Sequence, residues 1–163
     1  MKIGMILDAI YPSDARVTNE CEELIKNGHE VYLFCLSYQK NYIKSETINN
    51  IKVRRYYCSS LTYKLSALAN DFPLYSILMK SKIRDFVVNN NIDRMHIHDI
   101  QIAKAAVDVC EIYNLKYTLD LHENRHEIMK SYKHVNSFLG KLLISVKRWK
   151  KAEEKYVSKA EKV

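Results

Sequence analysis

Apolar residues recur along the chain in two alternating patterns. Short, nearly continuous apolar runs predict β-strands at positions 2–7, 31–36, 51–57, 92–98 and 117–121. Between these runs, apolar residues spaced by three or four positions predict helices at about 14–27, 61–68, 73–88, 99–113 and 137–160. Strands that alternate with helices are typical of the α/β class, so we predict a Rossmann-like, doubly wound parallel sheet.

The same pattern predicts how the chain is organised. No internal repeat or linker interrupts it, so we expect one Rossmann-like domain over residues 1–163. Residues 37–50 are polar and predict a loop, and the strand at 51–57 begins with the alternation typical of a sheet edge. Lys162 and Val163 resemble the opening of another strand. We therefore expect this chain to be part of a longer polypeptide.

Composition excludes several classes of protein. The chain has only three glycines, Gly4, Gly28 and Gly140, and they are scattered. This excludes the glycine-rich loops of dinucleotide-binding and P-loop proteins, in which a Cβ would block close approach of the backbone to phosphate. An apolar content of 47% argues against intrinsic disorder.

The cysteines and the hydropathy pattern indicate a cytoplasmic protein. Cys21, Cys35, Cys58 and Cys110 form no C-x-x-C pair, and three of them fall in apolar segments, which favours free buried thiols. The amino terminus shows no signal peptide. No apolar run reaches the roughly 20 residues that span a bilayer, so any membrane attachment is expected to be peripheral.

Candidate functional residues follow the predicted strands. In an open parallel sheet, ligands bind outside the carboxyl ends of the strands. Polar side chains cluster at three of these ends, and the candidates are Asp14, Arg16, His98, Asp99, His122 and Glu123. Such crowding at several strand ends predicts a binding site at this edge.

Each candidate also has a simpler interpretation. Asp14 and Asp99 can serve only as helix N-caps, and His98 can be a hydrogen-bonded core residue. A metal site is a further alternative, because His96, His98, Asp99 and His122 offer nitrogen and carboxylate ligands. However, His-x-His on one strand is common by chance, so we predict no metal.

Several segments together resemble the family four glycosyltransferases. D-x-R-V-x-x-E at 14–20 and G-H-E-V at 28–31 are similar to that family's first helix and second strand. H-I-H-D at 96–99 and L-D-L-H-E at 119–123 resemble its segments after the fourth and fifth strands. The late stretch from Trp149 to Val163 resembles its W-x-x-x-E and A-D/E-x-V pattern. The matches run in order along nearly the whole chain.

The resemblance implies a retaining glycosyltransferase of the GT-B fold, which has two Rossmann-like domains and needs no metal or other cofactor. This chain matches only the N-terminal, acceptor-side domain. The nucleotide-sugar donor would bind mainly to a C-terminal domain absent from this chain, so the chain alone is expected to be inactive. His98 becomes the catalytic candidate. Asp14, Arg16, Asp99, His122 and Glu123 become substrate-binding candidates. Unlike many members, this chain has no glycine in the loop at 8–14, so close phosphate contact from that loop is not expected.

The basic charge adds a candidate partner. The net charge is +7, and residues 38–65 and 137–163 each carry a net charge of +5. Tyrosines accompany the first segment, a combination that suits either an anionic membrane surface or a solvated polar loop, whereas a solvated helix face explains the second. No nucleic-acid-binding motif is present.

These features favour the acceptor-side domain of an enzyme that builds a bacterial surface polysaccharide or glycolipid on a sugar or lipid-linked acceptor. The alternatives are a non-catalytic binding module or subunit of a two-chain transferase, and a small metallohydrolase.

Overall fold

A computed structural model of the chain describes residues 1–121, 125–129, 131 and 144–163. Its described residues form a six-stranded sheet in the order β3-β4-β2-β1-β5-β6. The strands are β1 (Lys2–Ile6), β2 (Glu30–Ser37), β3 (Ser45–Ile48), β4 (Ile51–Tyr57), β5 (Arg94–His98) and β6 (Lys116–Asp120). All neighbouring strands are parallel except β3, which is antiparallel to β4. The prediction of a Rossmann-like α/β sheet is confirmed.

Strand β3 corrects the loop predicted at 37–50. Ser45–Ile48 pairs with β4, and Asn49 and Asn50 form the connecting turn with positive φ angles of 49° and 65°. Consecutive residues with positive φ are typical of a tight hairpin turn. The strand is half-exposed and lies at the sheet edge, so it lacks the continuous apolar run that marked the other strands.

The helices cover the two faces of the sheet unequally. Helix α1 packs on one face, whereas α3, α4 and α6 pack on the other. The helices are α1 (Ala15–Lys26), α2 (Ser60–Lys64), α3 (Leu74–Asn90), α4 (Ile100–Tyr113), α5 (Arg125–Met129) and α6 (Val146–Val157), with a short 3-10 helix at Leu65–Leu68 after α2. On the α1 side, the surface of β5 and β6 is therefore open to polar side chains.

Close packing of β1 against α3 depends on Gly4. A Cβ at this position would lie 2.9 Å from Phe86 Cε1 and 3.0 Å from Ile92 Cγ2. Both neighbours belong to the larger apolar core, which contains the buried face of α3. Gly4 therefore allows the centre of the sheet to approach this helix.

The structure corrects one predicted helix start and one predicted N-cap. The predicted helix at 137–160 is wrong at Ile144 and Ser145: Ser145 is extended, and its side chain accepts a hydrogen bond from Arg148 N as the N-cap of α6. Residues 137–143 lie outside the described residues. Asp99 occupies the position before α4, but its side chain does not cap the helix.

Asp71 anchors α6 to the remainder of the domain. Its carboxylate is fully buried and accepts hydrogen bonds from Ser145 N at 3.1 Å and Trp149 Nε1 at 3.2 Å. Arg148 Nη1 lies 3.3 Å away. After α6 the chain returns to the sheet, where Lys162 bridges Thr118 in parallel, as the pattern at 162–163 predicts. The predicted start of α3 at about residue 73 is confirmed, and the nearby Asp71 carboxylate binds the start of α6.

Candidate functional site

The carboxyl edge of β5 and β6 brings several predicted site residues together. His98 ends β5, and its Nδ1 lies 3.1 Å from Oδ2 of Asp120, the last residue of β6. Across from them, Asp14 begins α1 by accepting a hydrogen bond from Arg16 N, which confirms its predicted N-cap role. Arg16 pairs with Asp14 at 2.9 Å and reaches within 4.0 Å of the Asp120 carboxylate. Opposite charges are thus aligned across the gap between α1 and the sheet.

Deeper under α1, Glu20 meets two histidines. Its Oε2 lies 3.6 Å from His96 Nε2 and 3.8 Å from His98 Nε2. The two imidazole rings stack, with centroids 4.7 Å apart and an interplanar angle of 14°. We refer to Glu20, His96, His98 and Asp120 as the histidine cluster. Sequence reasoning did not single out Glu20 or Asp120 as site residues.

Two signals in the sequence point to these residues. Glu20 follows Arg16 by one helical turn, so both side chains share a face of α1. Asp120 lies near the end of the strand predicted at 117–121, as His98 lies at the end of the strand predicted at 92–98. The pattern alone does not show which face of the sheet α1 covers, so neither signal places the two groups in one cluster.

Burial determines the electrostatics of His98. Its side chain has no exposed surface, and desolvation lowers its pKa to about 4, with a further contribution from His96. The pKa of His96 is also lowered by burial. A neutral His98 that donates its Nδ1 proton to Asp120 leaves a lone pair on Nε2. Within the described part of the chain, Nε2 has no hydrogen-bond partner and faces the carboxylate of Glu20.

The entrance of the cluster is charged at neutral pH. Burial works to raise the pKa of Asp14, but hydrogen bonds from Arg16 and Val17 lower it overall. Arg16 and Asp120 are partly exposed, whereas the His98 ring lies beneath them. A ligand at this edge therefore meets Asp14, Arg16 and Asp120 first.

Asp99 lies at the same edge with an unusual backbone. Its φ of 73° is in a region that favours glycine, and its N–H donates to the Asp120 carbonyl at 3.1 Å. Non-glycine residues in such conformations occur often at functional sites. The remaining predicted candidates, His122 and Glu123, lie outside the described residues.

The other half of the carboxyl edge is formed by the loop after β1. Asp8 is buried there and accepts a hydrogen bond from the Tyr75 hydroxyl of α3. Burial and the nearby Asp8 carboxylate raise the pKa of Tyr75, so the phenol keeps its proton. This contact places the first turn of α3 at the same edge as the histidine cluster.

The histidine cluster has the residue types of a metal site. One ligand atom from each of its four residues lies within 4.8 Å of the others. Two ligands about 2.1 Å from one ion are at most about 4.2 Å apart, a limit that the contacts of Glu20 with both histidines satisfy. Among the described residues, the structure thus combines His96 and His98 with Glu20 and Asp120. The alternative considered from the sequence was His96, His98, Asp99 and His122, of which His122 lies outside the described residues.

No helix in the described ranges is long and apolar enough to cross a membrane. The four cysteines are buried free thiols, as predicted.

The fold is α/β and Rossmann-like, and it matches that of a domain in a GT-B enzyme. Sucrose-phosphate synthase from Thermosynechococcus elongatus, a GT-B glycosyltransferase, has a similar structure, with a TM-score of 0.70 over 99% of this chain at 12% sequence identity. The chain spans 41% of the length of that synthase. A shorter chain of the same enzyme gives a TM-score of 0.58, with 98% of this chain and 97% of the other covered at 12% identity. At this identity the likeness shows the fold alone.

No family model matches the sequence, and no curated protein matches it significantly. The structure therefore supports the GT-B type of fold that the resemblance implies, whereas membership of family four is not shown.

Proposed function

We propose that this chain is the acceptor-side domain of a retaining nucleotide-sugar glycosyltransferase. The observation that carries the proposal is the line of interacting side chains in which Asp14 pairs with Arg16, Arg16 approaches Asp120, and Asp120 contacts the neutral His98. It lies at the carboxyl edge of a sheet whose fold is shared with a glycosyltransferase. Ligands of open α/β sheets bind at such an edge.

The partly exposed groups suit recognition of a sugar. Arg16 donates from a planar guanidinium, and the Asp14 and Asp120 carboxylates accept, so together they can orient hydroxyl groups. His98 lies behind Asp120 and fixes its carboxylate through Nδ1. It becomes a direct contact of the transferred sugar only if Asp120 or Glu20 moves aside. His122 and Glu123 complete the proposed substrate-binding set.

The donor belongs to a second domain in this proposal. The loop at 8–14 has no glycine to cradle phosphate, so the nucleotide-sugar would be held mainly by the C-terminal domain of the same enzyme. Transfer of a hexosyl group to a sugar or lipid-linked acceptor of a bacterial surface polysaccharide or glycolipid, in the cytoplasm, is the function that we propose for the whole enzyme.

Replacement of His98 in the longer enzyme tests the site. We expect His98→Ala to lower kcat for sugar transfer about a hundredfold or more, because Asp120 loses its fixed partner. His29→Ala is the matched control, since His29 lies near the amino end of β2, outside the carboxyl edge. Turnover close to that of the unchanged enzyme in His98→Ala would remove His98 from the site.

A subunit of a two-chain transferase is an alternative arrangement of the same function. Mixing this chain with a separately produced donor-binding domain would distinguish the two arrangements. Transfer restored by mixing favours the two-chain enzyme, whereas transfer only from a single polypeptide favours the proposal.

The histidine cluster favours one second candidate, a small metallohydrolase. Elemental analysis of the purified chain and calorimetric titration with Zn²⁺ test it directly. Stoichiometric zinc that is lost in His96→Ala would support a metal centre. A metal-free chain that takes up no zinc would exclude it.

A further inference from the structure

The first turns of α3 form an exposed apolar surface that the proposed sugar site does not use. We define the α3 patch as Leu65, Leu68, Phe72, Leu74 and Ile77, which line a groove of about 440 Å³. Ile77 is 59% exposed, Leu74 52% and Phe72 47%. Leu78, in the next position of α3, is also exposed. Contiguous exposed apolar residues of this size usually mark an interaction surface.

Two lysines, one exposed and one partly buried, flank the patch along the chain. Lys64 precedes Leu65, and Lys82 follows Leu78 by one turn of α3. Within the described part of the chain, neither lysine has a carboxylate partner. The nearest acidic residue in sequence, Asp71, is fully buried and bound to the start of α6, and Asp85 further along α3 pairs with Arg84 at 3.6 Å. The rim of the patch is therefore positive.

The patch lies at the same edge of the sheet as the histidine cluster. Tyr75, between Leu74 and Ile77, donates its hydroxyl proton to Asp8 at the end of β1. A surface that contacts the α3 patch would thus lie beside the carboxyl edge. An apolar centre with a basic rim matches the interface of an anionic bilayer, where acyl chains lie beneath negative headgroups.

We propose that the α3 patch docks the domain on an anionic membrane surface. Leu74, Ile77 and Phe72 enter the headgroup region, while Lys64 and Lys82 contact acidic lipid headgroups. Burial of the apolar side chains supplies most of the affinity, and the lysines supply the preference for anionic lipid. The use of this docking to present a lipid-linked acceptor rests on the proposed function, but the binding itself does not.

Vesicle co-sedimentation of the purified chain tests the proposal. Vesicles of phosphatidylcholine alone are compared with vesicles of equal parts phosphatidylcholine and phosphatidylglycerol. We expect binding to the anionic vesicles and little to the neutral ones. Leu74→Ser/Ile77→Ser should weaken binding at least about tenfold, since two apolar side chains lose their burial. Ile112→Ser, at an exposed apolar position of α4 outside the patch, is the matched control and should bind unchanged.

A second pair of variants tests the electrostatic contribution of the lysines to vesicle binding. Lys64→Gln should weaken binding to anionic vesicles about fivefold, whereas Lys26→Gln, with the same loss of charge on α1, should have a much smaller effect. Circular dichroism and the Tm of each variant show that the fold is retained. The positions are exposed, so the substitutions are expected to fold.

Several results would overturn the proposal. They are absence of binding to either vesicle, equal binding to both, and binding that Leu74→Ser/Ile77→Ser leaves unchanged. A dimer that dissociates in Leu74→Ser/Ile77→Ser, without vesicle binding, would assign the patch to a second copy of the chain. None of these results bears on sugar transfer, which the His98→Ala experiment measures separately.

Discussion

His98 obtains its properties from neighbours that come from three separate elements. Asp120 of β6 accepts at Nδ1, Glu20 of α1 faces Nε2, and His96 stacks on the ring. Loss of hydration lowers the pKa of His98 more than the nearby Asp120 carboxylate raises it, so the pKa falls to about 4. The imidazole is therefore neutral at physiological pH, and its single proton can occupy Nδ1.

This burial predicts a dependence of stability on pH. The unfolded chain binds a proton on this residue below about pH 6.5, whereas the folded chain does so only near pH 4. Because the unfolded state binds more protons between these values, the free energy of unfolding decreases as the pH falls through this window. The decrease in the free energy of unfolding that is due to His98 approaches about 3 kcal/mol at the acid end of this window. Urea unfolding at pH 7, 6, 5 and 4 measures it.

His98→Asn separates this contribution from the acidic residues, which also titrate at low pH. The asparagine keeps a donor for Asp120 but does not titrate. We expect a flatter decline of stability with pH in this variant. The same slope in both proteins would contradict the assignment of a lowered pKa to His98.

At the scale of elements, α1 carries the chemistry of one side of the site. Its N-cap Asp14, its first-turn Arg16 and the next-turn Glu20 all face the ends of β5 and β6. The helical spacing of these residues is visible in the sequence. Their contact with His98 and Asp120 is not, because it depends on which strands α1 crosses.

Helix α6 depends on one buried carboxylate. Asp71→Ala would leave the indole N–H of Trp149 and the amide of Ser145 without their acceptor in a buried site. We expect a loss of about 2–4 kcal/mol of stability, measured by urea unfolding. Trp149, the only tryptophan in the chain, should show a red-shifted emission as α6 loosens.

Asp85→Ala is the matched control for Asp71→Ala. Asp85 is exposed on α3 and pairs with its neighbour Arg84. Its replacement should change stability by less than about 1 kcal/mol and leave the emission of Trp149 unchanged. Equal losses in the two variants would show that the buried hydrogen bonds of Asp71 do not hold α6.

The chain has a polar site at one sheet edge, and its sequence contains no glycine-rich phosphate-binding motif. If the donor binds mainly elsewhere, this chain alone should give no measurable heat on titration with UDP or GDP, and it should transfer no sugar. The longer enzyme, titrated under the same conditions, should bind one of the two nucleotides. Tight nucleotide binding by the isolated chain would contradict the division of roles between the domains.

The pattern of the sequence was sufficient for the class of fold. Continuous apolar runs and helical stripes depend on local burial, so they predicted five of the six strands and the main helices. The edge strand β3 was missed because a half-exposed, polar strand has no such run. The helix predicted from 137 was wrong at Ile144 and Ser145, where the N-cap of α6 interrupts it.

The sequence by itself determined the alternation of strands and helices and placed Asp14, Arg16, His98 and Asp99 at strand ends. Only the tertiary structure decided that Glu20 and His96 join His98 beneath α1, and that Asp71 anchors α6. The physical reason is the separation along the chain of the residues that interact. Burial patterns and caps depend on residues a few positions apart, whereas these contacts join elements distant in the chain and follow from how the helices pack on the sheet.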